Sequence, residues 1–256
     1  MRPVEYDVMA TVETHHWWYK ALRQFLMRSV TKIGFEPRGK TVIDAGCGTG
    51  GCYQAFVERF PDVTYVAMDL EARALDYCRT RGSRTLVRAT VHHIPVRRES
   101  ADLVICFDVL PCTSVSPRLA VREFHGALRF GGFLILNVPA FNILRGQHDA
   151  AVGIQRRFRR RQACSILTEA GFTVVTATYW NMVLFPPMAL WRWLSRSEEM
   201  QPVSDLRRFS WAQWMCTVLI SMELLVTQRI RLPLGSSLFI VAQKLAGTAI
   251  PPQMAA

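Results

Sequence analysis

The chain has 256 residues, of which half are hydrophobic and a fifth are charged, and its formal net charge is +11. This globular composition leaves room for one domain with added elements, or at most two small domains, around a sizeable core. The seven cysteines lack the spacing of a zinc site or of a disulfide framework, so reduced thiols in a cytoplasm are expected. The first thirteen residues have no apolar core, which predicts no signal peptide.

Arginine supplies nearly all of the positive charge, and its densest run is Arg156, Arg157, Arg159, Arg160 and Arg161. A basic balance of this size suits nucleic acid, an acidic membrane surface or an anionic substrate. The same run is equally typical of a solvated helix face, so the charge alone leaves these interpretations open.

Residues 14–28 contain few helix breakers and predict a helix with an aromatic block, Trp17, Trp18 and Tyr19, near its start. Because this helix precedes the first strand, it can fold back as a lid over a ligand at the sheet edge. Packing of the same rings on the core is the alternative.

Residues 41–51 contain a β-branched run followed by three alternating glycines, Gly46, Gly48 and Gly50. This order predicts a strand, a tight turn and a helix, with a backbone that can approach a ligand closely. The spacing lacks the dinucleotide pattern and the Lys-Ser/Thr pair of a P-loop, so no pyrophosphate site is predicted. Asp69 ends the next strand-like run, where a carboxylate can bind both hydroxyls of a ribose. A nucleoside ligand is therefore predicted, with a purely structural turn as the alternative.

From residue 40 onward, strand and helix patterns alternate, which predicts an α/β fold with a doubly wound parallel sheet and helices on both faces. The predicted strands are residues 41–44, 64–68, 85–89, 101–107, 133–138, 172–178 and 234–242, and the predicted helices are residues 51–60, 72–81, 117–130 and 162–170. Ligands in such sheets bind outside the carboxyl ends of the strands. The glycine loop and Asp69 both fall at that edge.

Residues 181–232 are rich in apolar and aromatic side chains and predict a C-terminal helical insertion. Tryptophan is concentrated here and just before it, at Trp180, Trp191, Trp193, Trp211 and Trp214. Arg192 and Glu223 interrupt the apolar runs, so neither reaches the ~20 residues that a bilayer span requires. We interpret the insertion as a helical pair that covers an acceptor pocket, with a membrane-surface or dimer face as the alternative. The predicted parts are an N-terminal helical lid (1–39), a ligand-binding core (40–180), the insertion (181–232), and a last strand with a tail (233–256).

The segment Asp44-Ala45-Gly46-Cys47-Gly48-Thr49-Gly50, with Asp69 after the next strand, resembles the cofactor site of class I S-adenosylmethionine-dependent methyltransferases. The aromatic block is similar to the opening of a bacterial, methyltransferase type 11-like subgroup, and the resemblance covers about residues 17–244. It implies a Rossmann-like seven-stranded sheet with an antiparallel last strand, and S-adenosylmethionine as cofactor with S-adenosylhomocysteine as product. The cofactor-binding residues that it implies are Trp18, Asp44, Gly46, Cys47, Gly48, Gly50, Asp69, Leu70, Val91, His92 and Asp108.

Three positions depart from the pattern of this family. Thr90 replaces an acidic residue near the adenine, and Pro111-Cys112 replaces an acid-His pair after the fourth strand. The Gly-His-x-Arg-Arg-Tyr segment of the subgroup is Gly153-Ile154-Gln155-Arg156-Arg157-Phe158 here, so its His and Tyr are absent. A changed acceptor or a changed reaction is therefore expected.

Methyl transfer to a hydroxyl or an acidic carbon is helped by a general base, and a neutral histidine suits that role near pH 7. His15, His16, His93, His125 and His148 are the candidates. His16 and His148 lie in segments expected to border the acceptor and are predicted to be catalytic, whereas His125 is expected to be a surface or packing residue. No metal site is predicted.

The leading functional hypothesis is an enzyme that methylates a small, hydrophobic or aromatic acceptor, such as a secondary metabolite or a lipid-like compound. One alternative is an RNA methyltransferase, which the arginines favour. The other is a protein that binds the cofactor but performs a non-methylating reaction such as cyclisation, or only binds a ligand. We expect the protein to be a cytoplasmic monomer or homodimer that binds no nucleic acid. Peripheral contact with a membrane is left open.

Overall fold

The computed structural model describes residues 3–194, 213–227 and 229–245, which contain a seven-stranded sheet of order β3-β2-β1-β4-β5-β7-β6. Its strands are β1 Thr41–Ala45, β2 Thr64–Asp69, β3 Thr85–Arg88, β4 Ala101–Phe107, β5 Leu128–Pro139, β6 Phe172–Trp180 and β7 Ser237–Lys244. Neighbouring strands from β3 to β5 pair in parallel, whereas β7 runs antiparallel to both β5 and β6. The predicted fold class, a Rossmann-like α/β sheet with an antiparallel last strand, is confirmed.

The helices flank this sheet. They are α1 Pro3–Val12, α2 Trp17–Lys32, α3 Gly51–Arg59, α4 Ala72–Thr80, α5 Pro117–Ala127, α6 Gln147–Val152, α7 Arg160–Glu169, α8 Phe185–Leu194 and α9 Gln213–Thr227, with a short 3-10 helix at Asn142–Leu144. No helix in these described ranges combines the length and the apolar character that a membrane span needs.

Two hydrophobic clusters fill the two faces of the sheet. Adjacent residues of β1 point in opposite directions, so Val42 belongs to one cluster and Ile43 to the other. Strands buried on both faces read as continuous apolar runs, which is why the run before the glycine loop is detectable in the sequence.

The order of the strands creates a crevice at one edge of the sheet. The chain passes from β1 outward through β2 and β3 and then returns to β4 on the opposite side of β1. The carboxyl ends of β1 and β4 therefore border the point where the strand order reverses, which is where ligands bind in open α/β sheets.

Several predicted boundaries differ in the structure, and helices α1 and α6 were not predicted. Helix α1 (Pro3–Val12) precedes the predicted N-terminal helix, and α2 begins at Trp17 rather than at residue 14. Helix α5 ends at Ala127 rather than at residue 130, because Leu128 already pairs with Ala101 in the sheet. Tertiary pairing overrides the local helical pattern at this point.

The insertion contains helices α8 and α9, as predicted. Helix α8 contacts the 3-10 helix that follows β5, on the side expected for an acceptor lid, whereas α9 packs along α2 and β6. Trp211 lies outside the described residues, as do the side chains of Trp191 and Trp193. The division of the chain into four parts stays a prediction.

Candidate cofactor and acceptor site

The loop after β1 requires glycine for conformation and for space. Gly46, Gly48 and Gly50 have φ of 89°, 54° and 86°, a region that side chains disfavour. A Cβ at Gly46 would lie 2.1 Å from Val109 Cγ2, and one at Gly48 would lie 2.5 Å from Met9 Cε. Side chains of α1 and of the segment after β4 therefore come directly against the bare backbone of this loop.

Asp69 ends β2 beside the glycine loop and is almost fully buried, with 8% of its surface exposed. Its Oδ2 accepts a hydrogen bond from Gly48 N at 3.0 Å, and its Oδ1 accepts one from Glu71 N at 3.0 Å. Burial raises the pKa of Asp69, and these backbone donors oppose the rise. Each carboxylate oxygen keeps acceptor capacity for a ligand hydroxyl.

Asp44 lies beneath the loop. Its Oδ2 accepts a hydrogen bond from the Tyr65 hydroxyl at 2.7 Å, and burial raises its pKa to about 7. This carboxyl group is directed at the core ring of Tyr65, so the geometry places it as a support of the loop. Its predicted contact with a cofactor stays a prediction.

Four other predicted cofactor residues lie around the same edge. Cys47 is buried, with its Sγ 3.5 Å from Cys78 Sγ, and Val91 belongs to the core. Leu70 is 53% exposed. The Nε2 atom of His92 accepts a hydrogen bond from Ser116 N at 2.8 Å, so the ring supports the start of α5.

Asp108 follows β4 across the crevice, in a strained backbone conformation with φ of 57°. Both of its carboxylate oxygens accept from Asn137 Nδ2, at 3.1 and 3.0 Å, and Asn137 Oδ1 in turn accepts from Trp180 Nε1 at 2.9 Å. Trp18 stacks on Trp180 with ring centroids 5.7 Å apart. Burial raises the pKa of Asp108 to about 7, so this carboxyl group exchanges a proton near neutral pH.

Glu13, between α1 and α2, binds the start of the helix that follows the glycine loop. Its carboxylate accepts from Gly51 N at 3.1 Å and from the Thr49 hydroxyl, and it forms an ion pair with Arg81 at 3.0 Å. A Cβ at Gly51 would collide with Glu13, so glycine is needed there as well. The carboxylate thus accepts from the otherwise unsatisfied N–H group of the first residue of α3.

Tyr6 of α1 lies close to Asp69. It is 6% exposed, and burial, followed by the charge of Asp69, raises the pKa of its hydroxyl above the ordinary range. The sequence analysis missed Tyr6, Met9 and Glu13. A carboxylate directly after a short helix carries no local signal of a contact 38 residues away.

On the acceptor side, the two segments that depart from the family pattern are joined. Cys112 pairs with Ile154 in an antiparallel bridge, and Gln155 N donates to Pro111 O at 2.9 Å. Nearby, the Phe141 ring lies 4.8 Å from that of Tyr179 and 5.8 Å from that of Phe185. This side of the edge is therefore lined by apolar and aromatic groups.

The two predicted catalytic histidines belong to different elements, His16 at the start of α2 and His148 in α6. His16 is 8% exposed and caps α2, where its Nδ1 accepts from Trp18 N at 3.2 Å. The side chain of His148, in α6, lies outside the described part of the chain. His125 is a packing residue, as expected: it lies edge-on to Phe172, and burial lowers its pKa to about 4.

The arginine run does not form one solvated helix face. Arg157 is buried and forms a bidentate ion pair with Asp149, at 2.9 and 2.7 Å, while its third nitrogen donates to Ala140 O at 3.1 Å. Only Arg160 and Arg161 begin α7. Within the described ranges, no group of acidic, histidine or cysteine side chains has the arrangement of a metal site.

Residues 43–136, from β1 to β5, match the family model described as a methyltransferase domain. Over these residues the chain is therefore similar to a methyltransferase domain, in agreement with the resemblance of its glycine loop. The residues at this edge fit S-adenosylmethionine. Asp69 and Asp108 offer carboxylates on opposite sides of the glycine loop, whose backbone a ligand can approach closely.

The chain is also similar in sequence to individual methyltransferases. The chain is 32% identical over 115 residues to the malonyl-[acyl-carrier protein] O-methyltransferase of Yersinia pestis, covering 43% of this chain and 41% of that protein. It is 26% identical over 140 residues to phthiotriol/phenolphthiotriol dimycocerosates methyltransferase 1 of Mycobacterium ulcerans (strain Agy99), covering 53% and 51%. The chain thus spans about half, or less, of these relatives.

Among solved structures, geranyl diphosphate C-methyltransferase from Streptomyces coelicolor A3(2) superposes with a TM-score of 0.61, at 16% identity, over 89% of this chain and 76% of that one. That structure holds Mg²⁺, geranyl-S-thiolodiphosphate and S-adenosyl-L-homocysteine. At this identity the likeness concerns the fold, which includes the elements on both sides of the matched domain.

Proposed function

We propose that this protein is an S-adenosylmethionine-dependent methyltransferase that acts on a small, hydrophobic or aromatic acceptor. The observation that carries the proposal is the meeting of the glycine loop, Asp69 and Asp108 at the crevice between β1 and β4. A cytoplasmic location and a monomeric or homodimeric state belong to the same proposal. The free state of all seven cysteines supports the location.

The residues have separate tasks in this proposal. The bound cofactor supplies a methyl group on a cationic sulfur, ready for in-line displacement. Asp69 holds the ribose hydroxyls, the glycine loop lets the backbone lie against the cofactor, and the ionised Asp108 offers a negative charge to its cationic end. Helices α1 and α2 exclude water through Tyr6, Met9 and Trp18, so that donor and acceptor meet in a dry site.

The chemistry of the acceptor side supports a hydrophobic substrate. The positions of the family's acid-His pair and of its second histidine are occupied by Pro111, Cys112 and Ile154, of which Cys112 and Ile154 pair with each other. The cluster of Phe141, Tyr179 and Phe185 adds aromatic surface beside them. Such a wall favours apolar over ionic acceptors, because a polar group would lose its hydration without gaining a partner.

Calorimetric titration with S-adenosylmethionine and S-adenosylhomocysteine, with NAD as control ligand, tests the donor site. We expect binding of the first two and none of NAD. The Asp69→Ala variant should bind the cofactor about 10- to 100-fold more weakly, since a charged acceptor of hydrogen bonds is lost. An unchanged affinity would contradict the ribose assignment.

Turnover with a panel of phenols and hydrophobic alcohols tests the reaction. S-adenosylhomocysteine should form in proportion to methylated product. Product without S-adenosylhomocysteine would replace methyl transfer by a non-methylating reaction, and methyl incorporation into RNA alone would replace the small acceptor.

The catalytic proposal for His16 and His148 has its own test. His16→Gln and His148→Gln should leave cofactor affinity unchanged and lower kcat about 10²-fold for the residue that acts as base. His93→Gln, which alters an exposed histidine, is the matched control. A loss of cofactor affinity in His16→Gln would mean that this residue acts only as the cap of α2.

A further inference from the structure

A chain of three polar side chains leads from the crevice into the core. Asp108 follows β4, Asn137 lies in β5, and Trp180 is the last residue of β6. Asn137 and Trp180 are fully buried, whereas Asp108 is only partly buried. The polar chain therefore has one end at the crevice and the other end in the core.

Asn137 holds Asp108 through both its backbone and its side chain. Asn137 pairs with Phe107 between β5 and β4, and the next residue, Asp108, donates its backbone N–H to Asn137 O at 2.9 Å. The Asn137 amide nitrogen donates to both oxygens of the Asp108 carboxylate, at 3.1 and 3.0 Å. The φ of 57° at Asp108 is strained, and strain of this kind persists only where the surrounding contacts hold it.

The indole of Trp180 fixes the orientation of the Asn137 amide. An indole N–H can only donate, so it selects the amide oxygen, which accepts from Trp180 Nε1 at 2.9 Å. The amide nitrogen must then face Asp108. The opposite orientation would set two donors against each other at Trp180 and would set an amide oxygen against the carboxylate of Asp108. The orientation that the network selects therefore favours a negative charge on Asp108.

Packing keeps the indole of Trp180 in place. Its ring stacks on Trp18 with ring centroids 5.7 Å apart, and it lies 5.2 Å from the ring of Phe25. Both neighbours belong to α2. A buried indole between such rings cannot turn away from Asn137 without opening the core, so the donor that orients the amide is itself held rigidly.

The other titratable groups around Asp108 do not replace Asn137. These groups are Tyr19, Cys106, Cys112 and Arg157. Burial raises the pKa of the hydroxyl and of both thiols, so all three are neutral near pH 7. The guanidinium favours the ionised Asp108 without a direct ion pair, because it is bound to Asp149 at 2.9 and 2.7 Å. In the part of the chain that the structure describes, Asn137 is thus the side chain that hydrogen-bonds the Asp108 carboxylate directly.

We propose that Asn137 and Trp180 are positioning residues for the cofactor, which orient the Asp108 carboxylate at the crevice and favour its ionised form. This assignment rests on the proposed methyl transfer, in which the ionised Asp108 attracts the cationic end of the cofactor. Both residues are fully buried, so they act through Asp108 rather than on the ligand. Asn137 acts on the carboxylate, and Trp180 acts on the Asn137 amide.

Titration of Asp108 in the cofactor-free chain tests the positioning directly. In carbon NMR with isotope-labelled aspartate, the Asp108 carboxyl resonance is identified by its loss in Asp108→Asn. Burial raises the pKa of Asp108 to about 7, and the Asn137 donor opposes this rise. In Asn137→Leu the titration midpoint should therefore move up by about one pH unit, because a hydrogen bond to a charged group is lost.

Two further variants place the effects in order. Asn137→Asp keeps the shape of the side chain but sets a second carboxyl group against Asp108, so the last proton of the pair should leave at a higher pH than in Asn137→Leu. Trp180→Phe removes the indole N–H and frees the amide to turn, so the midpoint should move up by less than in Asn137→Leu. Both variants nearly preserve the volume of the core, so they test the proposal even where Asn137→Leu does not fold.

Calorimetry with S-adenosylmethionine then relates the carboxylate to the cofactor. At pH 7, Asn137→Leu should bind about 5-fold more weakly than the original chain, and this ratio should approach one at pH 9, where both chains have an ionised Asp108. The ratio compares two chains with the same cofactor, so titration of the cofactor itself cancels. A merely structural role of Asn137 would weaken binding by the same factor at every pH, which would overturn the proposal.

Phe25→Leu is the matched control, because it removes a ring that packs on the same indole but leaves the polar chain intact. Its titration midpoint should equal that of the original chain, and any loss of affinity should be the same at pH 7 and at pH 9. A midpoint shift as large as that of Trp180→Phe would overturn the proposal, since packing alone would then explain the effect.

The two measurements separate this proposal from the proposed function. An Asp108 midpoint that stays unchanged in Asn137→Leu and Asn137→Asp would overturn the positioning while leaving cofactor binding intact. Midpoints that move as expected, together with an affinity that is flat with pH in the original chain, would overturn the role of Asp108 toward the cofactor. Absence of cofactor binding in the original chain would refute the proposed function, and the positioning for the cofactor with it.

Discussion

The domain carries two helical additions, and they attach to the sheet by different physical means. The N-terminal helices α1 and α2 reach the cofactor edge through carboxylates: Asp7 bonds to Arg73 and Tyr77 of α4, and Glu13 bonds to the start of α3. The C-terminal helix α9 attaches through an apolar face and one buried carboxylate, Glu223. The first addition is therefore coupled to the ligand loop, and the second packs through its apolar face on α2 and β6.

The largest effect is expected from Glu223→Ala. This change leaves three backbone N–H groups without their acceptor and should lower the free energy of unfolding by about 2 to 4 kcal/mol. Urea denaturation measures the loss, and Glu58→Ala, at an exposed glutamate of α3, is the control. If both variants lose the same stability, α9 is not anchored through Glu223.

Asp108 lies where the two additions approach each other, and its raised pKa predicts opposite pH trends for stability and affinity. Burial favours the neutral carboxyl group, so its contribution to stability is present below the ordinary pKa of aspartate and is lost as pH rises through about 7. The raised pKa of Asp44 gives a trend of the same sign.

Cofactor affinity should change in the other direction, because the ionised Asp108 attracts the cationic end of the cofactor. Between pH 6 and pH 8 the ionised fraction rises about 10-fold, and calorimetry should show a similar rise in affinity. Asp108→Asn should remove this trend and should reduce, without abolishing, the pH dependence of stability. An affinity that stays flat with pH in the original chain would refute the assignment.

A smaller effect is expected from Glu13→Gln. The neutral amide weakens the bonds to Gly51 N and Arg81, so we expect the affinity for S-adenosylmethionine to fall about 5-fold, or ~1 kcal/mol, with the fold intact. The matched variant Asp7→Asn breaks an exposed anchor of the same helix segment, and its effect should be the smallest of all, since exposed ion pairs contribute little. Equal effects of the two would show that α1 acts only as a cover, without coupling through Glu13.

By itself, the sequence determined the strand, the glycine loop and Asp69, because each depends on a local pattern: an apolar run, glycines at positive φ and a carboxylate at a strand end. It also determined the alternation that builds the sheet. The departures at Cys112 and Ile154 were visible in the sequence, but only the fold joined them into one wall.

Tertiary structure decided the rest. Glu13 meets Gly51 over 38 residues, and Glu223 meets Asn181 over 42, distances at which no periodicity in the sequence indicates a partner. The pKa of Asp108 near 7 depends on burial that residue type alone does not reveal. The same holds for the arginine run, which the fold divides into a buried ion pair at Arg157 and a cleft at Arg160 and Arg161, because burial and pairing depend on which elements meet.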